Sequence, residues 1–339
     1  MKKLYQEEKW KRYSKKRSEA VLKSLYKKET TKHRKQKVEY IYGKSRRRKN
    51  EVTIEVPSNF SLINRAEEML RFFHDIRTYV QKGRDIFFDM TAIGDMTTDA
   101  ILYMLSQFQY YKQHYTNYKI SGNTPTNNEC RNIFVGSGFY KYVRASGTRL
   151  QGDSNILTVQ SRSQVEPEIA KEITHFAKDR LDKMDMKTSK SIYSTMIECM
   201  ANTKNHAYER GGGKWWLMAA YREHLKTVHF TFLDNGLTIP ATIRKNLGEY
   251  LANIAGTLLP VVQTQDYKLI ESALKGDFRT KTGVSYRGKG LPKIYEYSKN
   301  RNIENLVIIS RNGYVDVANG AIRDLGEKFF GTLLSWDFV

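Results

Sequence analysis

Glu198 and Asn202 are four residues apart, a spacing that stacks them one turn apart on a single helix face. A carboxylate so placed can orient or deprotonate a water molecule. An amide oxygen one turn on can ligate Mg²⁺, a hard cation that takes few ligands from protein. His206 continues the same polar stripe, while Ile192, Met196, Cys199 and Thr203 form an opposite face suited to a core. Asp234 ends the apolar run Val228-His229-Phe230-Thr231-Phe232-Leu233, and strand ends are where α/β proteins gather ligands. Its carboxylate can accept a hydrogen bond from an exocyclic amine, and Gly236 lets the backbone turn tightly beside it. Gly288-Lys289-Gly290 stands ahead of a helix expected from about Leu291 and offers backbone amides to phosphate. Arg279, Lys281 and Arg287 add positive charge nearby, and Gly331-Thr332-Leu333-Leu334 closes the chain.

These signatures occur in a fixed order: Glu198-Cys199-Met200-Ala201-Asn202, Asp234-Asn235-Gly236-Leu237-Thr238, Arg287-Gly288-Lys289-Gly290-Leu291 and Gly331-Thr332. In that order and spacing residues 165–339 resemble the GHKL ATP-binding module of gyrase, Hsp90, histidine kinases, MutL and anti-sigma-factor serine kinases. The run Asn202-Thr203-Lys204-Asn205-His206-Ala207-Tyr208 is similar to the last group and to histidine kinases. The resemblance implies a Bergerat-type α/β sandwich, a mixed sheet with helices on one face, with ATP and Mg²⁺ as ligands. It implies Glu198 as catalytic general base and Asn202 as the metal ligand. Asp234, Gly236, Gly288, Lys289, Gly290 and Thr332 are then nucleotide-binding, with Thr332 meeting adenine through water. The family pattern has a second glycine where this chain has Thr238. Residues 245–287 would be the lid over the nucleotide. His175 stands where histidine kinases carry their phosphoacceptor, but Phe176 follows it in place of an acidic residue.

The elements that must hold these residues follow from periodicity. Helices are expected over 166–183 and 188–209, and strands over 228–233, 305–311, 314–317 and 331–338. Residues 51–160 alternate strand and helix: strands at 51–56, 85–90 and 118–122, helices at 66–82 and 98–115, with Gly83 as a stop. Such alternation predicts a small parallel or mixed sheet covered by helices. The stretch Asp89-Met90-Thr91-Ala92-Ile93-Gly94-Asp95-Met96-Thr97-Thr98-Asp99-Ala100-Ile101 resembles STAS domains, the fold of anti-sigma-factor antagonists. That likeness puts Asp99 at the phosphoacceptor position, with Thr98 before it, and suggests a protein partner for this α/β domain. Locally, Thr97, Thr98 and Asp99 read as a helix N-terminal cap.

The chain of 339 residues carries a net charge of +21, of which residues 1–50 hold 20 Lys and Arg against 5 Glu. This N-terminal arm reads as a basic helix over 4–28 with Trp10, Tyr13 and Tyr26 interleaved, followed by a short strand over 38–42. Its chemistry fits a polyanion or nucleic acid. No apolar run approaches the length of a membrane span, and the two cysteines, Cys130 and Cys199, supply neither a disulfide framework nor a zinc site. The expectation is a cytoplasmic, bacterial protein that does not enter a membrane, with a homodimer as one option. Three functions stay open: ATP hydrolysis that drives a conformational or partner switch, serine/threonine protein kinase activity, and a nucleic-acid-associated regulator that uses ATP occupancy as a switch.

Overall fold

Trp215-Trp216-Leu217-Met218-Ala219 places alternate side chains on opposite faces of a strand, and both faces are buried. That strand, β7 (Trp215–Arg222), sits in a five-stranded sheet with β6 (Ile156–Arg162), β8 (Thr227–Asp234), β9 (Glu304–Asp316) and β10 (Ile322–Phe338). The order is β6-β7-β8-β10-β9, and every neighbouring pair is antiparallel. The mixed sheet expected for this region is therefore antiparallel throughout. Expected strands 305–311 and 314–317 are one strand, which bends at Arg311, a residue with φ of 56°.

The computed structural model describes residues 51–142, 153–182, 184–206, 213–252, 264–277, 290–300 and 303–339, without the side chains of 205–206 and 246–252. All of them fall within a single unit of the chain. The basic arm lies outside the described residues, as do Arg279, Lys281, Arg287, Gly288 and Lys289.

Trp215, Leu217 and Ala219, with Phe230, Phe232 and Trp336, face one apolar core. It is closed by α4 (Pro167–Lys178), α5 (Met186–His206), α7 (Asp266–Lys275) and α8 (Gly290–Lys299) through Ile173, Met196, Ile270 and Ile294. Trp216, Met218, Leu233 and Leu333 face a second core, shared with α1 (Leu62–Gln81) and α2 (Thr98–His114). Helices thus cover both faces of the sheet, where one covered face was expected. Trp215, Trp216 and Trp336 are each at most 1% exposed. Truncating any of these rings to Ala costs about 3–5 kcal/mol.

The expected α/β element of residues 51–160 is present as a three-stranded parallel sheet, β1 (Glu51–Glu55), β3 (Asp85–Asp89) and β5 (Ile120–Gly122), in the order β1-β3-β5. A small parallel pair, β2 (Asn59–Phe60) with β4 (Asp95–Met96), joins it to α1 and α2. Helix α1 starts at Leu62, where Ser61 Oγ accepts from the Asn64 N–H at 3.2 Å, and regular dihedrals resume after a kink at Arg65. That kink is why apolar periodicity places the start at Ala66. Helix α3 (Asn128–Gly136) was not among the expected elements.

The two stretches read as separate domains share one core. Tyr103 of α2 stacks on Phe329 of β10 at 4.6 Å, and Tyr314 Oη donates to the Ile63 carbonyl at 3.1 Å. Strand β6 begins inside the first stretch yet belongs to the sheet of the second. The expected lid is also partly built in. Helix α6 (Ile239–Ala252) and α7 are regular, and α7 buries Leu269, Ile270 and Leu274. Asp266 anchors α7 by accepting the Asn312 N–H at 3.0 Å and pairing with Arg244 at 2.7 Å. Among the described residues no helix is long and apolar enough to cross a membrane.

Candidate functional site

Helix α5 carries Glu198 and Asn202 on one face while Met196, Cys199 and Met200 are buried in the core beneath. The same amphipathic spacing that seats the helix aims both polar groups away from the sheet core. Gly290, the first residue of α8, lies against both of them. A side-chain carbon on Gly290 would stand 2.9 Å from Asn202 Nδ2 and 3.0 Å from Glu198 Oε2. A side chain there would have to push the Asn202 and Glu198 ends aside, so the start of α8 and the polar face of α5 are in direct contact. Lys293, one turn into α8, brings its ammonium to 3.9 Å from Glu198 Oε1.

Asp234 ends β8, flanked in register by Trp215 on β7 and Thr332 on β10. It is 7% exposed, and its Oδ1 accepts the Gly236 N–H at 2.9 Å. Burial pushes its carboxyl up to about 7, against the pull of the Gly236 bond. The site extends past Asp234 through hydroxyls. Thr332 Oγ1 and Ser310 Oγ lie 2.9 Å apart, and Ser310 Oγ accepts the Ile239 N–H at the start of α6, also at 2.9 Å. Thr238 Oγ1 accepts the Ala241 N–H at 3.3 Å, so this hydroxyl works as the cap of α6. Gly331, at φ of 105°, turns the backbone just ahead of Thr332. Burial also pushes the Cys199 thiol up, with the charges of Glu198 and Asp234 adding to the effect. Cys199 therefore lies within electrostatic reach of both ends of the site.

Of the sequence-predicted site residues, Glu198, Asn202 and Gly290 are brought together in one cluster, and Asp234 and Thr332 in another. Gly236 follows Asp234 through its backbone bond. Gly288 and Lys289, and the side chain of His206, lie outside the described residues. His175 is exposed on α4. Ser310 and Lys293 were not anticipated: a serine within an apolar strand and a lysine in a helix carry no distinguishing local signal.

The helix starts at Thr98 with Thr97 as its N-cap residue, where the cap was expected, and burial of the Thr98–Asp99 pair argues against an accessible phosphoacceptor. Thr98 Oγ1 lies 2.7 Å from Thr231 Oγ1 of β8, and Thr98 is 4% exposed. Asp99 is fully buried, accepts the Leu62 N–H at 3.1 Å and takes the Thr97 hydroxyl, while burial holds its carboxyl above the ordinary range. Thr97 makes no side-chain capping bond. These groups tie α2 to α1 and to the sheet; they do not present a hydroxyl for modification.

A further polar row went unread in the sequence. His229 Nδ1 lies 2.6 Å from Asp337 Oδ1, and His229 Nε2 lies 3.1 Å from Ser335 Oγ. Burial raises the Asp337 carboxyl, but His229, Arg222 and Asn305 outweigh it and hold it below the usual range. None of Ser335, His229 and Asp337 is more than 3% exposed, so the row is interior structure that no substrate reaches.

No protein-family model matches this chain, and no curated protein matches it significantly. What the site does must be argued from its own chemistry.

Proposed function

We propose that this chain binds Mg-ATP in the manner of the GHKL modules and hydrolyses it to drive a conformational or partner switch. The observation that carries this reading is the convergence on Gly290: Glu198 and Asn202 lie about one hydrogen-bond length from the space a side-chain carbon would fill there. A glycine at a helix start, in contact with a carboxylate and an amide oxygen, suits the approach of a polyphosphate and its cation. In this reading the antiparallel sheet and α5 are the Bergerat-type core, and the parallel-sheet element is STAS-like.

Each side chain has a task. Asp234 accepts from the exocyclic amine of adenine, and Thr332 and Ser310 supply hydroxyls beside it. Asn202 would hold Mg²⁺ through its amide oxygen. Magnesium supplies charge neutralisation for the phosphates when bound. Glu198 takes a proton from water as that oxygen bonds to the terminal phosphorus and the bond to the ADP oxygen breaks. Lys293 balances the charge of Glu198 in the absence of nucleotide and can turn to phosphate when it is present.

Burial of Thr98 and Asp99 removes the in-chain acceptor that a protein-kinase reading would use first. Residues 1–50 remain the proposed contact for a polyanion, on charge alone. The decisive experiment is incubation of the full chain with Mg²⁺ and γ-labelled ATP beside Glu198→Ala and Asn202→Ala. Free phosphate lost in both variants supports the ATPase; label retained on protein favours the kinase. Absence of ATP binding to the wild type would sink the reading.

A further inference from the structure

A second cleft, of about 380 Å³, opens between α1, α2 and the Glu327–Phe330 stretch of β10, and none of Glu198, Asn202, Asp234 or Thr332 lines it. Its walls include the rings of Phe73, Tyr103 and Phe330. Arg77 enters it from α1, held by the phenol oxygens of Tyr110 and Tyr115, to which it donates at 3.2 and 3.4 Å. The guanidinium lies 4.4 Å from the centre of the Phe330 ring. Phenols are neutral at physiological pH, and no carboxylate among the described residues pairs with Arg77. The cation is thus placed and oriented but not neutralised. Lys328, exposed at the same wall with its ammonium 5.4 Å from the Phe330 ring, has no carboxylate partner among the described residues either. His74, by contrast, is paired with Glu327 at 3.2 Å.

Gln107 also lines the cleft. It is only 4% exposed, yet nothing among the described residues hydrogen-bonds its carboxamide. Its amide atoms are not among the buried unpaired ones, so they open to the cleft and are free to meet a ligand. A carboxamide presents donor and acceptor side by side, the pattern that pairs with the edge of a nucleobase. Two cations without a carboxylate partner, an amide without a hydrogen bond and aromatic residues line one cleft, whose carboxylate, Glu327, faces His74; together they define a ligand with matching parts.

We propose that this cleft binds a nucleotide: a planar base whose edge meets Gln107 and whose phosphate meets Arg77 and Lys328. The same chemistry is offered by a free mononucleotide and by the phosphorylated end of a strand. This inference stands apart from the ATP site.

The test is calorimetric titration of the full chain with adenosine monophosphate, a 5′-phosphorylated dinucleotide and inorganic phosphate. Binding of either nucleotide should persist in Asp234→Asn and weaken by about tenfold in Arg77→Gln, Lys328→Gln and Gln107→Leu, a loss typical of one charge-assisted or base-edge contact. Tighter binding of the mononucleotide assigns a free ligand; tighter binding of the dinucleotide assigns a strand end. Gln107→Leu replaces the amide with an apolar group of similar size, and an unfolding curve measured beside wild type separates lost binding from lost folding. Lys328→Gln changes an exposed side chain and keeps the test valid should a buried variant fail to fold. The proposal is overturned if neither nucleotide binds, if phosphate binds as tightly as they do, or if Asp234→Asn abolishes binding that the three cleft variants leave intact.

Discussion

Gly331 lies so close to Asp234 that a methyl group on it would sit 1.8 Å from the Asp234 carbonyl oxygen. The two residues are on neighbouring antiparallel strands nearly a hundred positions apart in the chain, and their backbones meet only because Gly331 adopts a φ of 105°. This contact brings the backbones together beside the Asp234–Thr332 register pair.

Gly331→Ala should therefore destabilise the protein by about 2–4 kcal/mol, from overlap with backbone and an unfavourable dihedral together. Gly320→Ala is the control. It also has positive φ, at 66°, but open space around it, and should cost about 1 kcal/mol from the dihedral alone. Urea unfolding of the two variants separates overlap from conformation; equal losses would show that the close approach does not matter.

Asp234→Asn should strengthen the fold and remove ATP binding at the site beside Thr332, leaving the cleft beside Arg77 unaffected. The folded carboxyl is raised to about 7 from an ordinary 3.8, so the folded protein holds this proton more tightly than the unfolded chain across that window. The stability it contributes is complete below 3.8 and lost as pH rises through about 7. At pH 8 the amide variant should gain about 2–4 kcal/mol over wild type, and the gain should vanish towards pH 4. Unfolding curves across that range test this, and a gain independent of pH would contradict it.

Glu198→Ala should lower the rate of ATP hydrolysis by about 100-fold or more while leaving ATP binding nearly intact, as expected for loss of a general base. Lys293→Met should instead weaken binding with a smaller effect on rate, since its partner in the free protein is Glu198 at 3.9 Å. Steady-state kinetics with separate KM and kcat readouts distinguish the two; identical profiles would remove the division of labour.

Thr98→Val leaves Thr231 without its closest hydroxyl partner, at a cost of about 1–3 kcal/mol. Thr98→Val with Thr231→Val should cost less than the sum of the single changes, because neither buried hydroxyl is then left unpaired. Additive losses in chemical denaturation would argue against a coupled pair linking α2 to the sheet.

Oligonucleotide binding by the full chain should fall steeply with salt, by about a thousandfold between roughly 50 and 200 mM if six or so phosphates are contacted. Fluorescence anisotropy with a labelled strand measures it. Binding insensitive to salt would contradict a role for the +15 charge of residues 1–50.

Local chemistry made several features legible in the sequence. The four-residue spacing of Glu198 and Asn202 fixes them on one helix face wherever that helix goes. The apolar run into Asp234 marks a buried strand with a polar end, and Gly290 marks a helix start. Strand and helix in residues 51–122 follow from periods of two and 3.6 residues, which each segment carries by itself.

Tertiary structure alone decided the rest. Strand β7 buries both faces, so it shows no alternation and reads only as an apolar stretch. Helix α7 is ten residues long, too short to announce itself, and is held by Asp266 against a bend that forms only in the folded sheet. Which face of the sheet α2 would cover, and hence that Thr98 would be buried on Thr231 rather than exposed, depends on a contact between residues 133 positions apart. The sequence by itself determined which residue types stand at helix and strand ends. Their meeting at Gly290 and beside Thr332 was decided by long-range strand pairing and core packing, which no local period encodes.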